Sequence, residues 1–274
     1  MVLSLTFNKG LGQNFLVNPT VCPRMADAVR ESTDGKIGVL EIGAGVGVLT
    51  KELLERCEKV VCVELDTRLF PVLDDTLSGY DNLTLINEDI LKADLDTIIK
   101  EHFDGMEIFV CANLPYYITT PIIMKLLEDK LALESITVMV QKEVAERLAD
   151  KPGGKEVGAI TYSINYYTNP EIIIDVPRDS FIPAPNVDLA VIKLDVLKEP
   201  KVNVLDEQLF FKVIKFSFLQ KRKTLINSLS NSGLLPKDFL EEMLNSLGID
   251  LKVRAEQLTL ENFAQIADYI KNNI

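Results

Sequence analysis

The sequence holds one histidine, His102, no tryptophan, and four cysteines, Cys22, Cys57, Cys62 and Cys111, none of them in C-x-x-C spacing. A single imidazole excludes histidine-rich metal sites and leaves one candidate for any His-dependent triad, with no motif around it. No metal is expected. Three of the cysteines sit in or beside strand-like apolar runs, so reduced core thiols are expected rather than disulfides or ligands. Long apolar runs are missing as well: Ile108-Phe109-Val110-Cys111-Ala112 falls far short of the roughly 18 residues that a membrane span needs. No signal-peptide pattern precedes Gly10, so a cytoplasmic protein without a membrane partner is expected, and a monomer. Positive charge is scarce. With 29 basic against 41 acidic side chains the net charge is −12, which for the whole molecule argues against a nucleic-acid partner.

What is present describes a soluble globular chain. Its 274 residues are 47% hydrophobic and 26% charged, enough for about two domains. Strand-like and helix-like patterns alternate through the first two thirds, the signature of a parallel sheet with helices on both faces. Strands are predicted over 36–42, 59–64, 83–87, 107–112 and 135–140, with helices over 18–30, 46–56, 68–77, 121–127, 142–149 and 157–166. Two further β-rich runs, 171–176 and 187–196, are close enough in sequence to pair antiparallel at one sheet edge. Seven strands follow. Near Lys198 the strand patterns stop, and 206–219, 223–229, 236–247 and 260–271 show helical spacing of Leu, Ile and Phe. The fold class expected is therefore α/β, a seven-stranded, mostly parallel Rossmann-like sheet over residues 1–198, followed by a small all-helical domain over 199–274.

The first strand runs into Glu41-Ile42-Gly43-Ala44-Gly45-Val46-Gly47-Val48. A glycine-rich strand-to-helix turn lets backbone approach a ligand closely. The dinucleotide pattern G-x-G-x-x-G would need glycine at position 48, where valine stands. The spacing matches instead the acid-x-G-x-G-x-G form that binds S-adenosylmethionine, a ligand with no pyrophosphate. Glu64 closes the second strand 21 positions beyond Gly43, placed to accept both ribose hydroxyl hydrogens. Asp89, after the third strand, is placed to accept from an adenine amine; alone it would read as a helix cap.

The fourth strand leads into Asn113-Leu114-Pro115-Tyr116. An exocyclic aromatic amine has its lone pair delocalised into the ring, so methylation requires its hydrogens to be held and the lone pair turned to the methyl donor. The Asn113 side-chain oxygen and the Leu114 carbonyl suit the two hydrogens, Pro115 stiffens the turn, and Tyr116 offers a stacking face. Positioning and electrostatic match carry such a rate without a strong base, which fits a chain with one histidine. The competing reading is a strand-end Asx turn with core aromatics.

In this order the motifs resemble the small-subunit ribosomal RNA adenine N6,N6-dimethyltransferases, the kasugamycin-sensitivity methyltransferases of bacteria. The resemblance spans nearly the whole chain, from Gly12-Gln13-Asn14-Phe15-Leu16 through Gln141-Lys142-Glu143-Val144-Ala145-Glu146-Arg147-Leu148 and Phe181-Ile182-Pro183-Ala184-Pro185-Asn186-Val187-Asp188 to Phe218-Leu219-Gln220-Lys221-Arg222-Lys223-Thr224. It implies an S-adenosylmethionine-dependent enzyme that dimethylates two adjacent adenosines near the 3′ end of small-subunit RNA during ribosome assembly, on RNA or an assembling particle. It also implies that Asn14 and Leu16 close over the cofactor, Gly43 and Gly45 line its turn, Glu64 holds the ribose and Asp89 the adenine. Asn113 would touch cofactor and target, Tyr116 would stack on the target adenine, and Phe181 would pack on its other face or edge. Lys221 stands where the family usually has arginine, and lysine lacks the planar fork that grips phosphate, so a weaker contact is expected.

The resemblance reopens the question of charge. Between Leu209 and Lys237 lie six basic residues, Lys212, Lys215, Lys221, Arg222, Lys223 and Lys237, and no acidic one, leaving 23 basic against 41 acidic elsewhere, or −18. Phosphate binding follows local potential, screened over about 8 Å at physiological salt. The first five are the expected RNA contacts. Competing functions are the related large-subunit methyltransferases of macrolide resistance, a DNA adenine methyltransferase, a non-catalytic assembly or transcription factor, and, disfavoured by Val48, an NAD-dependent oxidoreductase.

Overall fold

The computed structural model describes residues 15–154, 156–220 and 222–274. Its central strands are short runs buried on both sides. β2 (Ile37–Ile42) is buried at all six positions, and β3 (Lys59–Glu64) at five of six. Ile37, Val39, Val60 and Cys62 face one cluster that includes Met25, Val29 and Leu53; Leu40, Ile42, Val61 and Val63, the alternate residues, are buried as well. A sheet covered on both faces reads as continuous apolar sequence, as these strands do.

The large sheet runs β4 (Leu83–Asn87), β3, β2, β5 (Glu107–Asn113), β6 (Leu133–Gln141), β9 (Leu189–Val196), β7 (Thr168–Val176). The first five are parallel, and β9 is antiparallel to β6. β7 lies at the edge beside β9, where the sequence placed it. A small antiparallel pair joins β1 (Phe15–Leu16) to β8 (Phe181–Ile182), with Leu16 opposite Phe181. No alternating pattern of two residues announces such a pair.

β2 has β3 on one side and β5 on the other. The chain reverses its winding direction there, and a crevice opens outside the carboxyl ends of these strands. α1 (Val21–Arg30) packs against β5 and β6, and α2 (Val48–Leu54) against β3. The first helix begins later than Asn18-Pro19 suggests: Asn18 accepts hydrogen bonds from the Thr20 amide and hydroxyl, an Asx turn that delays the helix. α3 (Phe70–Thr76) follows a short 3-10 turn, Thr67–Leu69. α4 (Leu95–His102), absent from the sequence reading, is capped by Asp94. It ends on Phe103, whose ring lies 2.4 Å from where a Cβ on Gly38 would be, so β2 needs glycine for close packing. α5 (Thr119–Glu128) and α6 (Lys142–Ala149) follow β5 and β6.

Two compact units emerge. One holds the described residues up to Ala145 together with Glu171–Val196; the other holds Glu146–Pro170 with Leu197–Ile274. The change near Lys198 is within two residues of the last crossing, but the segment 146–170 groups with the helical unit, whereas the sequence assigned it to 1–198. The reason is α7 (Ala159–Tyr167), buried at six consecutive positions. Its Tyr162 packs on Phe218 and Phe263 and donates its hydroxyl to the Leu258 carbonyl at 2.6 Å. Helical spacing tells that α7 has an apolar face, not which core receives it. α8 (Glu207–Ser217), α9 (Leu225–Asn231), α10 (Lys237–Ser246) and α11 (Leu260–Asn273) complete this unit around Phe210, Leu240 and Phe263.

Candidate active site

At the end of β2 the backbone turns through three left-handed glycines, Gly43 (φ 75°), Gly45 (φ 57°) and Gly47 (φ 85°). A side chain on Gly43 or Gly45 would meet nothing within 4 Å, so it is the backbone conformation that selects glycine at both positions. The Gly43 amide donates to the Val63 carbonyl at 2.9 Å, tying the turn to β3. Glu64, 7% exposed, accepts from the Gly45 amide through Oε2 at 3.2 Å and from the Asp66 amide through Oε1 at 2.8 Å. Each carboxylate oxygen offers two lone pairs, so two remain for a vicinal diol.

These residues line a cavity of about 530 Å³ at the switch point, within the roughly 300–1,000 Å³ of ligand pockets. Leu16, Gly43, Gly45, Glu64, Asp89, Asn113, Leu114, Pro115 and Tyr116 all lie on it. Asp89 serves two purposes. Its Oδ1 accepts from the Leu91 amide at 3.1 Å and its Oδ2 lies 3.5 Å from Lys92 Nζ, a local cap, while the half-buried carboxylate still borders the cavity. Asn14 lies outside the described residues.

Asn113 is the last residue of β5, opposite Met139 of β6. The Leu114 amide donates to the Met139 carbonyl at 3.3 Å, and the Pro115 carbonyl accepts from the Ile118 amide at 3.2 Å and the Thr119 hydroxyl at 3.1 Å. The turn is thus fixed from both sides. Neither the Asn113 side chain nor the Leu114 carbonyl is hydrogen-bonded among the described residues, so two acceptors stand at the cavity wall beside Tyr116.

Phe181 departs from expectation. Its ring is 2% exposed, belongs to the buried cluster against which Leu16 and Tyr116 pack, and does not line the cavity. The β1–β8 pairing spends Phe181 on holding Leu16 in place, which a motif cannot reveal because the partner strand is more than 160 positions away. Conversely, the sequence reading missed Leu65, Ile90, Tyr117 and Met139, which also line the cavity. Leu65, directly after Glu64, is 58% exposed, which nothing in its local sequence signals. His102 lies on α4, off the cavity.

One lining residue is a buried acid. Glu41, 1% exposed, sits between Cys62 and Cys111 on the neighbouring strands and accepts from the Cys62 thiol at 2.9 Å. Burial pushes its carboxyl up to about 7, partly offset by that thiol. Burial likewise raises all four free thiols, so they stay protonated and structural, as the sequence reading expected. Because folding raises the Glu41 pKa, the folded state holds a proton the unfolded chain releases, and stability is lost as pH climbs from about 4.5 through about 7. Urea midpoints should therefore fall between pH 5 and pH 8 in the unsubstituted protein and fall less in Glu41→Gln. An equal fall in both would show that Glu41 is ionised throughout.

In the helical unit, Lys212 and Lys215 are exposed on α8 one turn apart, and Arg222 and Lys223 are exposed just before α9. Lys237 differs from them, lying 3.5 Å from Glu241. Lys221 lies outside the described residues.

Comparison with known proteins identifies the family. The family model described as Ribosomal RNA adenine dimethylase matches residues 4–272. The chain is 49% identical over 267 residues to Ribosomal RNA small subunit methyltransferase A of Bacillus cytotoxicus, covering 96% of this chain and 91% of the relative. It is 48% identical over 271 residues to the protein of the same name from a Geobacillus species, covering 97% and 92%. Among solved structures it resembles a dimethyladenosine transferase from Plasmodium falciparum (TM-score 0.75, 25% identity, 95% and 98% covered). The 23S rRNA methyltransferase ErmE shares the fold (TM-score 0.70, 24% identity, 94% and 100% covered). The chain belongs to the ribosomal RNA adenine dimethylase family.

Proposed function

We propose that this chain is an S-adenosylmethionine-dependent enzyme that dimethylates the N6 amines of two adjacent adenosines near the 3′ end of small-subunit ribosomal RNA during ribosome assembly. The observation that carries the reading is the pair of unengaged acceptors, Asn113 and the Leu114 carbonyl, on the wall of a cavity built from the glycine turn and Glu64. When bound, S-adenosylmethionine supplies an electrophilic methyl group on a sulfonium. The donor set fits it: Glu64 retains lone pairs for the ribose, Asp89 borders the cavity for the adenine, and the Gly43, Gly45 and Gly47 amides that could cradle a pyrophosphate are already engaged by Val63, Glu64 and Ala44.

The chain's own part in the reaction is positioning. Asn113 Oδ1 and the Leu114 carbonyl accept the two amine hydrogens and turn the nitrogen lone pair out of the ring; Tyr116 offers its face to the base. The proton leaves after transfer, so no base is required. A monomethylated amine keeps one hydrogen and needs one acceptor, so the same wall serves both rounds.

The small-subunit substrate is favoured over the large by the names of the relatives at 48–49% identity. The exposed cations of α8 and the loop before α9 are the proposed RNA-facing surface, in a domain of about residues 199–274 extended by α7. The expected outcome with labelled S-adenosylmethionine and both ribosomal subunits from cells lacking the modification is label in dimethyladenosine of the small subunit alone. In the same assay, Lys212→Ala with Lys215→Ala should raise KM for the subunit and flatten its salt dependence by roughly one unit of log–log slope for each phosphate no longer neutralised. Label in the large subunit overturns the substrate assignment.

A further inference from the structure

A second cavity, of about 380 Å³, opens where β6 passes into α6 and where Arg178, Asn186, Val187 and Asp188 form the opposite wall. Its position follows from the sheet. β6 contributes Met139 to the first cavity and Gln141 to the second. Residues two apart on a strand share a face and lie about 6.6 Å apart. The opposite wall is tied down at two points: Asp188 accepts from the Arg178 amide through Oδ1 at 3.0 Å, and its carbonyl accepts from the Lys142 amide at 3.0 Å. Between Arg178 and Asn186 runs β8, which pairs with β1 and thereby with Leu16 of the first cavity.

The side chains lining this cavity have the chemistry to recognise a nucleobase edge. The carboxamides of Gln141 and Asn186 and the guanidinium of Arg178 make no side-chain hydrogen bond among the described residues. A carboxamide presents a donor beside an acceptor, the complement of the N6 and N7 groups of adenine. A guanidinium stacks on a base plane or forks a phosphate. Two cations, Lys142 and Arg178, meet two carboxylates, Glu143 and Asp188, and the Lys142 ammonium is held 2.8 Å from Asp175. Such a balance favours an uncharged base over a bare phosphate. Val187, 44% exposed, adds an apolar surface.

Resting on the function proposed above, we propose that this second cavity holds the adenine of the nucleotide next to the one being methylated, so that one member of the adjacent pair is read while the other reacts. Gln141 and Asn186 recognise its edge, and the spacing along β6 keeps the two sites within one nucleotide step.

The test uses small subunits reconstituted around transcribed RNA in which one of the two adenosines is replaced by uridine, with methylation followed at the other. The unsubstituted enzyme should show roughly a tenfold rise in KM on the replaced RNA, with little change in kcat. Gln141→Ala combined with Asn186→Ala should show the same rise on unaltered RNA and no further rise on the uridine RNA, while binding S-adenosylhomocysteine normally. Asn186 is exposed, so Asn186→Ala alone keeps the test open should the double variant fail to fold. Independent, additive losses from protein and RNA changes would overturn the assignment, as would an unsubstituted enzyme indifferent to uridine. Absence of label in any small subunit would instead overturn the proposed function, and the second site with it.

Discussion

Asn113→Ala is expected to lower kcat by roughly a hundredfold to a thousandfold, the usual cost of removing one hydrogen-bonding partner aimed at shifting charge. The fold should survive. Asn113 ends β5, its backbone pairing with β6 does not involve the side chain, and its amide satisfies no other buried group among the described residues. A melting temperature close to that of the unsubstituted protein is therefore expected, together with S-adenosylhomocysteine affinity within a few fold of normal. Loss of kcat at unchanged KM for the small subunit would place the contact in the transition state. Near-normal turnover would remove Asn113 from the reaction, and with it the argument that two paired acceptors orient the amine.

The second large effect is on cofactor affinity. Glu64 is a buried carboxylate that already accepts two amides, from Gly45 and Asp66, so its position and orientation are set before any ligand arrives. Hydrogen bonds to a charged group contribute about 1.5–3 kcal/mol each. Glu64→Ala should thus weaken S-adenosylmethionine binding by roughly tenfold to a hundredfold or more, measured by calorimetry. It should also cost about 1–3 kcal/mol of stability, because the two amides lose their acceptor. Glu64→Gln keeps the shape but exchanges one acceptor oxygen for a donor, and should restore stability better than affinity. If both variants bind S-adenosylmethionine as tightly as the unsubstituted chain, the ribose assignment fails even though the turn geometry stands.

Much of this site was legible in the residues themselves. Gly43, Gly45, Glu64, Asp89 and Asn113-Leu114-Pro115-Tyr116 all reach one cavity, because each sits at or just past the carboxyl end of a strand, and parallel strands bring those ends to one edge. Strand ends are local features, marked by where an apolar run meets glycine, an acid or an amide. What was not legible depended on partners distant in sequence. Phe181 could be recognised as part of a motif, yet its pairing with Leu16 and its burial arise from a two-residue ladder across the chain. Leu65 and Tyr117 are apolar or aromatic residues whose exposure, 58% and 60%, no periodicity announces.

The helix α7 marks the same divide. Its helical spacing, legible over 157–166, is local, but an apolar face fits any complementary core, and only the packing of Tyr162 against Phe218 and Phe263 assigns it to the helical unit. Sequence alone thus determined the seven strands of the large sheet, the glycine turn, the acids Glu64 and Asp89 at or just past the ends of β3 and β4, and the amide tetrapeptide, since these follow from backbone preference and side-chain chemistry within a few residues. Tertiary structure alone decided which unit claims α7, that Phe181 is buried opposite Leu16, that Glu41 is a buried acid, and that a second polar cavity stands two residues further along β6. Those outcomes depend on burial and on contacts between distant segments, which no stretch of sequence carries by itself.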